Sequence, residues 1–466
     1  MPAPDTARTT LEVGILEAVR PPPAEEAKMA RIAEDLVARC RAAAEFFGAR
    51  AEPKVVGSFE KKTQLKGADL DVFLLFSVDT PLEALKELGV KIAKSVIDEG
   101  ETRYAEHPYL RGRIEGVRVD VVPAYKVASA AEMRTAVDRT PFHNEFVRER
   151  LAPSQRDEVR LLKAFLRGVG AYGSELRVQG FSGYLCELLV IRFGGFEGVM
   201  QAAAGWREGP ALSVEGTVPT EVLHTARRDF GEPLVFIDPV DPSRNVASPV
   251  SLDKLALFVF AAREYLRDPR PLFFFPNPKR ALTPTEIREA AATRGTRILG
   301  VTIRGSPEVD DVWIPQLRKS ERALSKLLTT YGFTVARSDV QAGADGGEPV
   351  LFLFELTASH LPSANKHFGP SALHENARDF VEKWNGRPGQ LSKPYVEEGR
   401  LMVDVTREFT DAADLLKDRA TSVAHGKGVA DAFAERFDVI ELDDAAREPF
   451  TGRTSAFLQP GLPWQF

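Results

Sequence analysis

Residues 69–76 read DLDVFLLF, two aspartates flanking a leucine before the chain runs on into unbroken apolar sequence. A short apolar run of this kind fits a buried strand, where an ionised carboxylate is most costly. Strand alternation sends Asp69 and Asp71 to one face and Leu70 to the other, into the core. Two carboxylates on one face raise each other's pKa unless a cation neutralises them, so the segment calls for a sheet with a cation site on one side.

A third acid stands in the same kind of setting. Asp120 lies in GVRVDVVPAY (116–125), which alternates like a strand and is expected to stop at Pro123. If the two strands are neighbours, three carboxylates converge and can hold two oxygen-seeking ions such as Mg²⁺. Paired ions of that kind serve in-line phosphoryl displacement. Upstream, Gly57 permits close approach of a ligand to the backbone, and Ser58 with the following N–H groups can hold phosphate oxygens. Taken singly, Asp120 reads more readily as a turn or cap residue, and Asp-x-Asp is a weak motif; the Gly-Ser turn before it gives the set its meaning.

A chain of 466 residues is too long for one hydrophobic core, so two to four domains are expected. Residues 1–140 interleave strands with helices, beginning with a helix whose apolar positions are Met29, Ile32, Leu36, Cys40 and Phe47. Residues 141–268 read as mainly helical, and 269–466, after the Pro-rich RDPRPLFFFPNPKRALTP, as smaller α/β modules with a surface loop at QAGADGGEP. Only Cys40 and Cys186 are present, which suits a reducing compartment and two buried thiols. The start, MPAPDTARTT, has no signal-peptide pattern and no segment has the apolar length of a membrane span, so a cytoplasmic protein is expected, with no membrane partner. A net charge of −6 excludes a global positive field, so nucleic acid would have to be held by local patches.

The blocks GSFEKKTQLKGADLDVFLLF, YAEHPYLRG, VDVVPAY, AVDRTPFHNEFV, EVRLLKAFLRGVGAYGSELRVQGFSGYLCELL, DPVDPSRNVASPVSLDKLA and VDDVWIPQLRKSERAL together resemble the archaeal-type (class I) CCA-adding enzymes, CCA tRNA nucleotidyltransferases of the nucleotidyltransferase superfamily. The resemblance implies a multi-domain α+β fold: a polymerase-β-like catalytic head with a mixed sheet over 1–140, a helical neck for nucleotide recognition over 141–268, and a tRNA-binding body and tail over 269–466. It implies template-independent addition of CCA to the 3′ end of tRNA from CTP and ATP, with two Mg²⁺ ions and release of pyrophosphate. A homodimer is compatible with it.

Carried onto this chain, the family's metal ligands would be Asp69, Asp71 and Asp120, and the incoming nucleotide would be surrounded by Ser58, Lys61, His143, Lys163, Tyr172 and Ser182, with Arg244 facing its base. The chemistry of these side chains agrees. Lys61 and Lys163 suit a triphosphate as point charges, the hydroxyls of Ser58, Tyr172 and Ser182 can donate, and His143 can donate to phosphate or ribose. Arg244 presents a planar set of donors that distinguishes the acceptor edges of cytosine and adenine from those of uracil and guanine. Individually, Lys163 also reads as a solvated helix lysine, Tyr172 as a core-edge tyrosine, Ser182 as a helix cap, and DPVDPSRNV as a rigid double turn. The chain departs from the family where an arginine usually stands at Lys61, and in a somewhat shorter loop from Gly57 to Asp69.

For RNA, Arg263, Arg267, Arg270, Lys279 and Arg280 are dense in sequence, and Arg318, Lys319, Arg322 and Lys326 follow on one helical segment, where 318, 322 and 326 share a side and could track an acceptor-stem backbone. The same charges also read as a solvated helix face. The Gly-Ser and Asp-x-Asp elements alone also leave open a poly(A) polymerase or an oligoadenylate-synthase-like enzyme, and a tRNA-binding protein without catalysis is the alternative from another class.

Overall fold

The computed structural model describes residues 9–104, 107–306, 309–343 and 347–465, so the tip of the QAGADGGEP loop, part of the YAEHPYLRG block and the first eight residues lie outside the described residues. The chain divides into two compact units, Met1–Pro278 with Gly461–Phe466, and Lys279–Pro460.

The first unit opens with α1 (Thr10–Val19), started by a capping box between Thr9 and Glu12, and α2 (Pro23–Phe46), with proline in its first turn. Met29, Ile32, Leu36 and Cys40 are all buried along α2, as their spacing predicts, whereas Phe47 lies just past its last residue and is half-buried. Then follow β1 (Ala51–Val56), the single turn α3 (Gly57–Glu60), β2 (Leu70–Ser77), α4 (Leu82–Val96), β3 (Gly100–Tyr104), β4 (Pro108–Ile114) and β5 (Val117–Lys126). The strands form one mixed sheet in the order β1-β2-β5-β4-β3, with β2 and β5 parallel at its centre and every other pair antiparallel.

Alternation gives this sheet two different faces. Leu70, Val72, Leu74 and Phe76 of β2 and Val119 and Val121 of β5 join one core with Leu36, Cys40 and Ile92 of the covering helices. Phe73, Leu75, Val122 and Ala124 point the other way into a small apolar cluster with Val56. Asp69, Asp71 and Asp120 share the parity of that second face, so the expected split of Leu70 from its flanking acids is realised.

The strand expected to stop at Pro123 does not stop there. β5 continues to Lys126, because β4 pairs with it only between Val117 and Val121, and beyond that point the missing proline N–H leaves no partner unsatisfied on that side while pairing with β2 carries on.

Beyond the sheet come α5 (Thr140–Arg150), α6 (Gln155–Gly168), α7 (Gly183–Phe193), α8 (Phe196–Gly205), β6 (Ala211–Leu212), α9 (Thr220–Phe230), β7 (Val235–Phe236) and α10 (Leu252–Arg267). Ser182 caps α7, and Gly194 ends it in the left-handed conformation at φ 88°. These helices share a large core that includes Phe165, Phe181, Phe196 and Phe258, and Trp464 from the chain end packs into it against Phe273. Burial pushes the thiols of Cys40 and Cys186 up to about 12, so both are inert packing residues.

The second unit holds α11 (Pro284–Arg294), β8 (Arg297–Ile303), α12 (Asp310–Thr330), β9 (Thr334–Gln341), β10 (Val350–Ala358), β11 (Ala364–Ser371), α13 (Ala377–Trp384), β12 (Tyr395–Glu397), β13 (Arg400–Thr406), α14 (Ala412–Arg419), α15 (Lys427–Glu435) and β14 (Phe437–Glu441). Its strands form two sheets, β14-β8-β10-β9 and β11-β13-β12. On α12, Arg322, Lys319 and Lys326 are exposed and Arg318 is half-buried. Among the described residues no helix is long and apolar enough to cross a membrane.

Candidate active site

Parallel pairing puts Asp71 of β2 directly beside Asp120 of β5 in the ladder, about 4.8 Å apart in strand spacing, with Asp69 two residues along on the same face. Gly57 makes room for them. It follows Val56, the partner of Asp71 across β1 and β2, and adopts φ +79°; a Cβ on it would lie 2.1 Å from Asp71 Oδ2. Two arginines hold the outer acids. Arg111, opposite Asp120 on β4, donates to both Asp120 oxygens at 2.8 and 2.6 Å, and Arg118 Nε donates to Asp69 Oδ1 at 2.7 Å. The strands are neighbours, yet the expected convergence is not complete: among the described residues no three acidic, histidine or cysteine side chains stand gathered as a ligand set.

Asp71 has no such partner. Burial, and then the charges of Asp120 and Asp69, push its carboxyl up to about 7, against smaller opposing pulls from Lys61 and Arg111. The three acids on this face offer oxygen donors only, the kind a hard divalent cation such as Mg²⁺ takes, but they are not gathered as a ligand set in this arrangement.

The loop between Gly57 and β2 is fixed from behind by α6 and α7. Arg160 Nε donates to the Gln64 carbonyl at 2.9 Å and its Nη2 to the Lys62 carbonyl at 2.7 Å. Glu187 of α7, fully buried, accepts from Lys61 Nζ and from Thr63 Oγ1, both at 2.5 Å, and from Lys163 Nζ at 3.4 Å. Burial alone would raise the Glu187 carboxyl, but the charges of Lys61 and Lys163 and the hydrogen bonds of Lys61 and Thr63 outweigh it and hold it below the ordinary range. Lys163 is therefore no solvated lysine: it is 1% exposed, and its three N–H groups meet Thr63 O at 3.1 Å, Thr63 Oγ1 at 3.2 Å and Glu187. A phosphate reaches Lys163 only by exchanging one of these acceptors, whereas Lys61 spends one donor on Glu187 and keeps two.

A second buried carboxylate organises the other side. Asp238, just beyond β7, lies beside His143 Nε2 at 2.9 Å and accepts from Arg244 Nη1 at 2.8 Å, Tyr184 Oη at 3.3 Å and the Val240 N–H at 3.0 Å. Burial lowers the affinity of His143 for a second proton despite Asp238, and the same hydrogen bonds keep Asp238 ionised against its own burial. A neutral imidazole facing a carboxylate donates through Nε2–H, which leaves Nδ1 as an acceptor. Tyr184 stacks on His143 with ring centroids 4.0 Å apart.

Of the remaining sequence candidates, Ser58 stands in the single turn of α3. Ser182 Oγ accepts from the Leu185 N–H at 3.1 Å as the cap of α7 and still has its own hydrogen to donate. Tyr172 is half-buried, and burial raises its pKa so that it stays a hydroxyl. A Cβ on Gly183 would lie 3.3 Å from the Tyr172 oxygen and 3.5 Å from Lys163 Nζ, so both converge on the start of α7. Glu187, Asp238, Tyr184, Arg160 and Asn144, whose Oδ1 accepts from the Gly57 N–H at 3.3 Å, were not singled out from sequence. The signal for Glu187 was present: it is the one charge inside the apolar GYLCELLVI.

Three family models match the chain: a nucleotidyltransferase domain over residues 39–143, the second domain of tRNA nucleotidyltransferase over 157–275, and the C-terminal domain of the CCA-adding enzyme over 294–441. A CCA-adding enzyme of Methanosarcina barkeri is 40% identical over 437 residues, covering 92% of this chain and 93% of that protein. The chain belongs to the CCA-adding enzyme family. Another family member, from Methanoregula boonei, is 40% identical over 89% of this chain and 88% of its own length, and one from Methanothermobacter thermautotrophicus is 37% identical over 97% and 98%. The mixed five-stranded sheet is accordingly the nucleotidyltransferase domain of a CCA-adding family member, and both buried carboxylates, Glu187 and Asp238, fall in the stretch matched by the second-domain model.

Proposed function

We propose that this chain adds CMP and AMP from CTP and ATP to the 3′-hydroxyl of tRNA, without a template, and stops at CCA. The observation that carries the chemistry is the ladder pairing of Asp71 with Asp120, Asp69 beside them, on a face cleared by Gly57. These three residues would hold two Mg²⁺ ions, which supply charge neutralisation for the attacking and leaving oxygens. The tRNA 3′-oxygen bonds to the α-phosphorus, the bond to the bridging oxygen breaks, and pyrophosphate leaves.

The chain's own groups bind and orient. Lys61, fixed at one donor by Glu187, offers the other two to the triphosphate, with Ser58, Tyr172 and Ser182 as hydroxyl donors. Lys163 secures the loop beneath it and adds positive charge. His143 Nδ1 accepts from the ribose, and the outer edge of Arg244 meets N3 of cytosine or N1 of adenine, both acceptors, where uracil and guanine present an N–H instead. Residues 1–140 act as the catalytic head, 141–268 as the neck and 269–466 as the tRNA-binding body and tail, with Arg318, Arg322 and Lys326 of α12 lying along the acceptor stem. Such an enzyme works in the cytoplasm.

Incubation with Mg²⁺, CTP, ATP and tRNAs ending before, within and after CCA, followed by sequencing of the 3′ ends, tests the reading. Completion to CCA and then arrest is expected. Long homopolymer would assign a tailing enzyme, and tRNA binding without nucleotide turnover would assign a binding protein.

A further inference from the structure

Asp238 is fully buried, yet four donors reach it: His143 and Arg244, both of the nucleotide-facing set, at Oδ2, and Tyr184 and the Val240 N–H at Oδ1. That number fills the acceptor capacity of a carboxylate, so the group has one orientation. Arg244 is bound to it through Nη1 alone, with 34% of its side chain exposed, which leaves the other N–H groups of the guanidinium free to face outward. His143 is bound through Nε2 and is pinned a second time by the Tyr184 ring. One buried anion therefore anchors one end of the arginine fork and sets the tautomer of the histidine.

We propose that Asp238 is the positioning residue for nucleotide choice: it aims the Arg244 donors at the base and holds His143 as the Nε2–H tautomer, and the preference for cytosine and adenine over uracil and guanine depends on it. The inference rests on the proposed function. A donor-only fork rejects the N3–H of uracil only if it cannot swing aside, and an arginine on a flexible stem rejects little by itself. The Asp238 contact restrains that swing by tethering Nη1. The role is distinct from that of Glu187, which touches the lysines and has no contact with Arg244 or His143 among its hydrogen bonds.

The test is the ratio of kcat/KM for CTP to that for UTP on a tRNA awaiting its first C, measured for wild type, D238N, R244A and the double variant. D238N should lower the ratio by about tenfold or more, the value of one charge-assisted hydrogen bond, and should lower it no further when R244A is already present. A merely structural role for Asp238 would reduce both nucleotides by the same factor; that result, a fall in the ratio of less than tenfold, or an undiminished further fall in the R244A background overturns the inference. If D238N does not fold, ¹⁵N NMR of the histidine-labelled wild type decides: His143 protonated at Nε2 alone supports the role, and Nδ1–H or an imidazolium at neutral pH overturns it. Wild type that transfers neither CMP nor AMP would instead remove the functional reading itself.

Discussion

Replacing Glu187 by alanine should destabilise the first unit strongly. The side chain is fully buried between Lys61, whose side chain is 7% exposed, and Lys163, at 2%, and its loss leaves two ammonium groups without their shared anion and Thr63 without its acceptor. Removing one partner from a buried ion pair costs about 3–5 kcal/mol, and for a unit of this size about 4 kcal/mol lowers Tm by roughly 10 °C. E187Q keeps an acceptor for Thr63 and should lose less. The pH dependence has a definite sign. Because the folded-state pKa of Glu187 lies below its ordinary value, the unfolded chain binds more protons between the two, and stability rises with pH there. The Glu187 contribution is therefore present above the ordinary glutamate range, about 4.3, and is lost as pH falls through the folded value. Thermal unfolding of wild type, E187Q and E187A from pH 7 down to pH 3, followed by the fluorescence of Trp206 and Trp464, reads both effects. An E187A loss below about 1 kcal/mol at pH 7, or a gap between wild type and E187Q that widens on acidification, would refute the reasoning.

Gly57→Ala should slow addition by about a hundredfold or more while costing only about 1–2 kcal/mol of stability, because its Cβ would meet Asp71 Oδ2 at 2.1 Å and its φ is +79°; single-turnover addition set beside a melting curve checks it, and an unchanged rate means that the carboxylate tolerates the methyl. Arg160→Ala removes both ties to the carbonyls of Lys62 and Gln64 and should raise the KM for CTP and ATP alike, with no change in the choice between them, as steady-state kinetics with each nucleotide will show. Replacing Arg318, Arg322 and Lys326 together by alanine should reduce the slope of log affinity for tRNA against log salt by about 2, measured by filter binding across a salt series.

The placement of the acids at the sheet was readable in the sequence because a strand's twofold period forces Asp69, Asp71 and Leu70 onto known faces, and because the acid inside each apolar run has few other reasons to be there. What the period does not give is which strands are neighbours, so the register of Asp71 with Asp120 had to come from the structure. Pro123 misled for the same reason: a proline ends a strand only if its missing N–H faces a partner, and the pairing of β5 with β4 had already ended at Val121. Lys163 was half legible. Its residue type suggested phosphate, but its position on the inner side of α6 decides its partners, and that depends on a helix packing that no local pattern encodes. Asp238 was read as part of a rigid turn, and the turn is real, since the Val240 N–H closes on Oδ1; the same carboxylate reaches His143 ninety-five residues away in sequence, a long-range contact invisible to spacing.

The most direct test is the rate of CMP addition by Asp120→Ala under single-turnover conditions with saturating Mg²⁺. Arg111, the side chain it releases, is 34% exposed and free to turn to water, so folding should hardly change, whereas addition should fall by roughly a thousandfold or more. A folded D120A protein that adds CMP within tenfold of the wild-type rate would show that the acids on this face of the sheet do not carry the reaction.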